Sequence, residues 1–310
     1  MSKHIICITP IKHMDGIYEF LQKKGRVSYL PKISKNDLIK KLKIDHSINH
    51  IFCNPNMQNF ILDEEILSNS NIKIINTAST GTNHIDLNAC KRLKINVFSL
   101  KNDKKLINKL PSTSELAFCL MIGLLKNLLP SFDSVKKKKW SYLGYIGQEL
   151  ASLKVGIIGY GRLGKFMSKF CKAFGMEVCI YDKYVKSKKF KNLTLKNIFK
   201  SCDIISLHIH LNSQTEKIIN TQLIKLSKKK PIIINTSRGN IVDEKAILYA
   251  LKNKIISGYG TDVLCDELDD IKKSEIIRNI KNYNILVTPH IGGMTYQGQK
   301  RAYKWAIEKF

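Results

Sequence analysis

Three residues whose side chains can carry acid–base chemistry lie in separate segments near the end of the chain: Arg238, Glu267 and His290. A histidine exchanges protons near neutral pH, so it can take a proton from a hydroxyl group or return one to an oxo group. A glutamate bonded to the other ring nitrogen fixes the tautomer, and an arginine binds a carboxylate through a planar, permanently charged fork. Together the three residues fit the interconversion of a 2-hydroxy acid and a 2-oxo acid, with Arg238 and His290 both binding the substrate.

None of these residues indicates catalysis by itself. A single histidine after a strand is more commonly a packed or solvated side chain, and an arginine or glutamate in a loop is more commonly a surface charge. Their order behind a glycine-rich turn is what favours a catalytic role.

That turn, residues 159–164, follows an apolar segment at 155–158 and precedes a predicted helix at 165–174. Glycine allows a tight turn at the first position, a close approach of the backbone to a diphosphate at the second, and close packing of helix on strand at the third. The N–H groups and positive dipole end of the helix would then hold the diphosphate of a dinucleotide. The predicted cofactor-binding residues of the turn are Gly159, Gly161, Arg162, Leu163 and Gly164.

An acidic residue, Asp182, ends the next predicted strand, 18 residues beyond Gly164 (182 − 164). A carboxylate at this place accepts hydrogen bonds from the adenosine ribose hydroxyls and repels a 2′-phosphate. The sequence therefore predicts NAD rather than NADP, and Lys183 is the one neighbouring residue that argues for NADP.

Short apolar segments alternate with helical patterns along the chain. The candidate strands are residues 4–8, 27–30, 48–53, 72–76, 96–99, 154–158, 177–181, 204–207, 232–235, 256–261 and 285–288. An amphipathic helix is predicted from Ser112 to about Leu129, ended by Pro130, and a last helix from about Tyr296 to Phe310. Short apolar strands between helices indicate parallel strands buried on both faces. The predicted fold is α/β, with two doubly wound parallel-sheet domains.

Five motifs stand in a fixed order: residues 79–86 (Ser-Thr-Gly-Thr-Asn-His-Ile-Asp), 113–115, 156–164, 235–239 with 242–243, and 288–293 (Thr-Pro-His-Ile-Gly-Gly). With them the chain closely resembles the D-isomer-specific 2-hydroxyacid dehydrogenases, a family that includes phosphoglycerate, glycerate and D-lactate dehydrogenases. The resemblance implies a Rossmann-type dinucleotide-binding domain, residues 104–287, inserted in a flavodoxin-like substrate domain, residues 1–103 and 288–310.

The resemblance also implies roles for single residues. The backbone N–H groups of Thr80 and Gly81 would help to hold the substrate carboxylate, and Asp262 would orient the nicotinamide carboxamide. The other cofactor-binding residues that it implies are His208, Thr236, Ser237 and Gly292. It further implies a homodimer whose domains close around the substrate, with no metal.

The expected function is hydride transfer between NAD(H) and a small D-2-hydroxy acid or its 2-oxo acid. Two departures from the family pattern bear on this expectation. Leu268 stands where a proline usually follows the catalytic glutamate, which would loosen that loop. The segment at 54–57, which includes Asn56 and Met57, contains no arginine that could bind a phosphate group. The second departure counts against phosphoglycerate and favours a small or polar substrate.

Composition limits the alternatives. The formal charge of +27 comes almost entirely from lysine spread along the chain, whereas nucleic-acid-binding proteins usually concentrate basic residues on one face. The eight cysteines form no CxxC pair, and no apolar run is long enough for a membrane span, so a cytoplasmic protein without a nucleic-acid or membrane partner is expected. Two other functions stay open: an NAD-sensing regulator with weak or absent turnover, and a basic protein whose nucleic-acid binding falls steeply with salt.

Overall fold

The computed structural model describes residues 2–55, 60–265, 267 and 271–310. The sequence features at Asn56, Met57 and Leu268 therefore lie outside the described residues. The chain divides into two compact units, one of Met1–Leu110 with Gly293–Phe310 and the other of Pro111–Gly292.

The first unit is a five-stranded parallel sheet with helices on both faces. Its strands are β1 (His4–Cys7), β2 (Arg26–Tyr29), β3 (His50–Cys53), β4 (Ile74–Thr77) and β5 (Asn96–Ser99). Its helices are α1 (Ile17–Gln22), α2 (Lys35–Ile44), α3 (Glu64–Leu67), α4 (Leu87–Arg92) and α5 (Lys104–Ile107), and the last helix of the chain, Tyr296–Glu308, returns to it. The strand order β2-β1-β3-β4-β5 is the flavodoxin-like order.

Burial explains this arrangement. β1 and β3 are buried along their whole length, as central strands of a doubly wound sheet must be, whereas the edge strands β2 and β5 are only partly covered. The last helix packs on one face, where the Asn76 side-chain amide donates a hydrogen bond to the carbonyl of Ala306 (2.8 Å).

The second unit is a seven-stranded parallel sheet. Its helices are α6 (Ser112–Leu125), α7 (Leu128–Lys136), α8 (Arg162–Ala173), α9 (Leu195–Ser201), α10 (Thr221–Ile224), α11 (Glu244–Lys252) and α12 (Glu275–Arg278). The helix Tyr296–Glu308, which belongs to the first unit, is α13. Its strands are β6 (Lys154–Ile158), β7 (Glu177–Tyr181), β8 (Lys191–Asn192), β9 (Ile204–Leu207), β10 (Ile232–Asn235), β11 (Gly258–Thr261) and β12 (Ile285–Val287). The order β12-β11-β10-β9-β6-β7-β8 is the Rossmann order with β12 added at one edge. The predicted fold class is confirmed.

The units divide after Leu110 and after Gly292, whereas the resemblance implied boundaries after residues 103 and 287. α5 remains with the first unit because Leu106 and Ile107 pack against the core of that unit. The segment 288–292 stays with the second unit because its hydroxyl and N–H groups are bonded to Asp262. His290 therefore belongs to the second unit.

The prediction that one helix runs from Ser112 to about Leu129 is wrong. α6 ends at Leu125, Asn127 takes a left-handed conformation (φ 49°), and α7 begins at Leu128. Pro130 lies in the first turn of α7, where its missing N–H costs nothing.

Among the described residues, no single helix is both long enough and apolar enough to cross a membrane. One pair of helical stretches, Lys104–Leu125 and Leu128–Lys136, is long and apolar enough only when the two are taken together, and the pair is bent by 64°.

Candidate functional site

The glycine turn joins β6 to α8 at the point where the strand order reverses, between β6 and β9. Gly159 has φ 97°, and a Cβ there would lie 2.5 Å from the carbonyl oxygen of His208. A Cβ on Gly164 would overlap the carbonyl oxygen of Gly159, whereas a Cβ on Gly161 would meet nothing within 4 Å. Two glycines are therefore required by packing, and the third faces open space.

The helix after the turn begins at Arg162, three residues before the predicted start (165 − 162). Gly164 thus lies in the first turn of α8, beside Leu163, whose carbonyl accepts a hydrogen bond from Ser114 Oγ (2.9 Å). Burial lowers the pKa of Arg162, which is partly covered. The first N–H groups of a helix have no carbonyl partner within it, so this end is suited to an anion.

Asp182, directly after β7, is tied to the glycine turn. Its Oδ2 accepts a hydrogen bond from the N–H of Tyr160 (2.7 Å), and its Oδ1 accepts from the N–H groups of Tyr184 and Val185 (2.8 and 2.9 Å). A carboxylate oxygen has two acceptor positions, so Oδ2 can accept one further hydrogen bond. Lys183 donates to the side chain of Gln214 (2.7 Å).

Two polar atoms near the ends of β9 and β10 are buried without a hydrogen-bond partner in the described part of the chain: His208 Nδ1 and Thr236 Oγ1. His208 Nε2 lies 2.9 Å from Ser206 Oγ, and burial lowers the pKa of His208 to about 4, so its ring is neutral at pH 7. Buried polar groups normally have partners, and a bound ligand with polar groups would supply them here.

Arg238 follows β10 in a loop that is fixed by the side chain of Asn235. That amide accepts a hydrogen bond from the N–H of Ser237 (3.0 Å) and donates one to the carbonyl of Arg238 (3.0 Å). Ser237 Oγ donates to the carbonyl of Leu207 (2.8 Å), which joins the loop to β9. Burial lowers the pKa of Arg238 and the nearby Glu267 carboxylate opposes this effect, so the guanidinium remains charged.

The loops after β10 and β11 touch at Gly239. A Cβ there would overlap the backbone of Leu264 and Cys265. The carboxylate of Glu244, at the start of α11, accepts a hydrogen bond from the N–H of Cys265 (2.9 Å). These contacts fix the loop that carries Glu267.

Glu267 and His290 form an ion-pair geometry, with Oε1 3.0 Å from Nδ1. Their side chains are 29% and 33% exposed, so both are covered by protein yet open to solvent on one side. The second carboxylate oxygen of Glu267 lies 3.4 Å from the N–H of Leu264. The structure thus brings together the predicted acid–base pair.

His290 has a left-handed backbone conformation (φ 54°), which is unfavourable for a residue with a side chain. Asp262 holds it in this conformation from both sides: its Oδ1 accepts from Thr288 Oγ1 (2.6 Å) and the Ile291 N–H (2.8 Å), and its Oδ2 accepts from the Gly292 N–H (2.7 Å). Asp262 is 2% exposed, and burial raises its pKa although these hydrogen bonds oppose the effect. Sequence reasoning missed these hydrogen bonds, which together clamp His290, because the resemblance gave Asp262 only a role towards the nicotinamide and nothing linked it to residues 288–292.

Thr80 and Gly81 follow β4 in the other unit. Thr80 is exposed and Gly81 is half-buried. Within the described residues, neither N–H group donates to a protein acceptor. Both groups are therefore available to an anion.

Comparisons with known proteins show the family of this chain. Residues 118–292 match the NAD binding domain of the D-isomer specific 2-hydroxyacid dehydrogenases, and residues 6–121 match their catalytic domain. A glycerate dehydrogenase of Methylorubrum extorquens is 34% identical over 71% of this chain and 69% of that protein, and a hydroxypyruvate reductase of Thermotoga maritima is 32% identical over 79% and 78%.

Similarity extends to solved structures and to longer proteins. The structure of D-lactate dehydrogenase from Aquifex aeolicus, complexed with NAD and lactic acid, superposes with a TM-score of 0.82 at 28% identity and covers 99% of this chain and 94% of that one. Matches to phosphoglycerate dehydrogenases of Bacillus subtilis and Methanocaldococcus jannaschii cover 43% and 55% of those proteins, so the chain spans about half their length. The chain belongs to the family of D-isomer specific 2-hydroxyacid dehydrogenases, whose nucleotide-binding domain uses NAD.

Proposed function

We propose that the protein interconverts a small D-2-hydroxy acid and its 2-oxo acid with NAD as the redox partner. The observation that carries this proposal is the Glu267–His290 pair, which lies at the carboxyl edge of the nucleotide-binding sheet close to the charged Arg238. Ligands of open α/β sheets bind at this edge. The unpaired buried atoms of His208 and Thr236 at the same edge support a bound polar ligand.

The residues present fit NAD. The glycine turn with Arg162 and Leu163 would hold the diphosphate, Asp182 Oδ2 would accept from a ribose hydroxyl, and Asp262 Oδ2 has one acceptor position left for the carboxamide. The remaining residues that we propose to contact NAD are His208, Thr236, Ser237 and Gly292. When bound as NADH, the cofactor supplies the hydride.

Side chains of the second unit exchange the proton of the reaction and bind the negative charge of the substrate. Glu267 binds His290 Nδ1, so we assign the proton exchange with the reacting oxygen to Nε2. During reduction His290 donates a proton to that oxygen, and the Glu267 carboxylate stabilises the charged imidazole before the donation. Arg238 binds the substrate carboxylate and polarises the oxo group.

We further assign the N–H groups of Thr80 and Gly81 as ligands of the substrate carboxylate. Two consecutive N–H donors without a protein acceptor are suited to an anion. A small substrate is favoured because the similar glycerate dehydrogenase, hydroxypyruvate reductase and D-lactate dehydrogenase are named for three-carbon acids, which have two carbons beyond the carboxylate.

A panel of 2-oxo acids tests this proposal. NADH oxidation is followed with glyoxylate, pyruvate, hydroxypyruvate, 2-oxoglutarate and phosphohydroxypyruvate, with NADPH in parallel and Arg238→Ala as the control. We expect turnover with glyoxylate, pyruvate or hydroxypyruvate and NADH, and its loss in the control. Tight NADH binding without turnover on any acid would instead support an NAD-sensing regulator.

We also propose a homodimer. Large apolar side chains are exposed along one stretch of the second unit, and exposed apolar patches commonly mark interfaces. They are Leu128, Leu129, Phe132, Val135, Trp140, Tyr142, Leu143 and Ile146. Ile146→Ser should shift the sedimentation coefficient towards that of a monomer. Ile44→Ser is the matched control, because Ile44 is 81% exposed and Ile146 is 78% exposed. Equal sedimentation coefficients for the two variants would contradict this interface.

We place the protein in the cytoplasm. All eight cysteines are free thiols and most are buried, which is typical of proteins from a reducing compartment. Fractionation of cells into cytosol and membranes tests this location, and recovery of the protein with the membranes would contradict it.

A further inference from the structure

A chain of side-chain hydrogen bonds lies beneath the loop that carries Thr80 and Gly81. His84 Nε2 is 2.9 Å from Thr77 Oγ1, Thr77 Oγ1 is 2.9 Å from Ser79 Oγ, and Ser79 Oγ is 2.6 Å from the carbonyl oxygen of Gly81. Thr77 is completely buried and His84 is 3% exposed. This series of hydrogen bonds therefore connects the buried Thr77 and His84 side chains to the loop that carries Thr80 and Gly81.

The direction of these hydrogen bonds follows from counting protons. A carbonyl only accepts, so the single hydroxyl proton of Ser79 is donated to Gly81. Ser79 Oγ then accepts from Thr77, and Thr77 Oγ1, having used its own proton, accepts from the Nε2–H of His84. Each step requires the previous one, so removing one hydroxyl breaks the side-chain connection between the Gly81 carbonyl and the buried His84.

The Ser79 hydroxyl fixes the peptide that follows Gly81, and a backbone hydrogen bond fixes the peptide that precedes Thr80. The carbonyl of Ser79 accepts a hydrogen bond from the Leu100 N–H (2.9 Å), and the carbonyl of Gly81 accepts from Ser79 Oγ. In a trans peptide the N–H points away from the carbonyl. The N–H of Thr80 is therefore directed away from Leu100, and the peptide that carries the Gly81 N–H lies between two fixed peptides.

We propose that Ser79, Thr77 and His84 are positioning residues that hold the N–H groups of Thr80 and Gly81 in the orientation that binds the substrate carboxylate. This inference rests on the proposed function. Donors that are fixed before binding lose less conformational freedom when the anion arrives. The carboxylate is present in both substrate and transition state, so loss of this positioning raises KM and leaves kcat nearly unchanged.

The test compares Ser79→Ala with Ser70→Ala. Ser70 Oγ also donates to a backbone carbonyl, that of Leu67 (2.8 Å), in the same unit but elsewhere in the fold. We expect Ser79→Ala to raise KM for the 2-oxo acid, and the inhibition constant of oxamate, by about tenfold, which is about 1.4 kcal/mol. The dissociation constant of NADH and kcat should stay within about threefold, and Ser70→Ala should match the wild type in all four values.

Two further variants keep the test decisive. Ser79→Thr retains the hydroxyl and should restore the wild-type KM, which would assign the effect to the hydroxyl group itself. Thr77→Val breaks the chain one step deeper and should raise the same KM if Ser79→Ala does not fold. Wild-type turnover combined with an unchanged KM in the folded variants would overturn this inference alone, whereas absence of turnover in the wild type would overturn the proposed function.

Discussion

Asp262→Asn tests the clamp that holds His290. The carboxylate of Asp262 accepts three hydrogen bonds, from Thr288, Ile291 and Gly292, and is almost fully buried. Asparagine replaces one of the two acceptor oxygens by an NH₂ donor. Whichever oxygen is lost, at least one of the three donors then faces another donor.

The expected magnitude follows from these contacts. A hydrogen bond to a charged group contributes about 1.5–3 kcal/mol, and the left-handed conformation of His290 costs about 1–2 kcal/mol. Loss of one such hydrogen bond is therefore enough to release His290 from its catalytic position. At about 1.4 kcal/mol per factor of ten, we expect kcat to fall roughly tenfold to hundredfold.

Steady-state kinetics and NADH titration separate this effect from a direct role of Asp262 in binding NAD. The matched variant Thr288→Val removes one donor of the clamp and leaves the carboxylate intact. It should lower kcat without changing the dissociation constant of NADH, whereas Asp262→Asn should change both. If Thr288→Val and Asp262→Asn both retain the wild-type kcat, the clamp does not position His290.

The pH dependence of kcat gives an independent measure of the same clamp. Burial raises the pKa of Asp262 above its ordinary value of 3.8, so the carboxylate takes up a proton at a higher pH than an exposed aspartate does. A protonated carboxyl presents a donor where an acceptor is needed. The wild type should therefore lose kcat as the pH falls through this raised pKa, and that loss should be absent from the already impaired Asn variant.

Two further predictions follow from packing and from buried thiols. Gly164→Ala places a methyl group against the Gly159 carbonyl and should lower the melting temperature. Gly161→Ala should keep the melting temperature, because a methyl group at Gly161 meets only open space, and should weaken NADH binding. Equal melting temperatures for the two variants would contradict this distinction. Burial raises the pKa of the Cys171 thiol from 9.0 to about 12, so its contribution to stability is present below pH 9 and is lost, by about 1.4 kcal/mol per pH unit, as the pH rises towards 12. In urea unfolding, the stability difference between wild type and Cys171→Ala should shrink between pH 8 and pH 11, and a constant difference would show that the thiol ionises equally in both states.

The fold could be predicted because its strands are short, apolar and separated by clear helical patterns. β5, β6, β7, β9 and β10 have the predicted bounds. β8 was missed, since two exposed polar residues at a sheet edge carry no apolar signal. The break between α6 and α7 was missed because it depends on the backbone of Asn127 and not on the neighbouring proline.

Only the site residues that belong to the sequence motifs could be predicted. The Glu267–His290 pair could be predicted, because residues that follow neighbouring parallel strands lie at the same edge of the sheet. The supporting hydrogen bonds of Asn235, Glu244 and Thr288 were not predicted, since side-chain partners depend on loop geometry that no spacing records.

The central claim, that His290 exchanges the proton of the reaction, is tested most directly by His290→Ala. Turnover with the preferred 2-oxo acid and the dissociation constant of NADH are measured on the same preparation as the wild type. The account predicts that kcat falls by about 10²–10⁴ while NADH binding changes by less than about threefold. Retention of the full kcat by a variant that still binds NADH would contradict the assignment of His290 and, with it, the proposed mechanism.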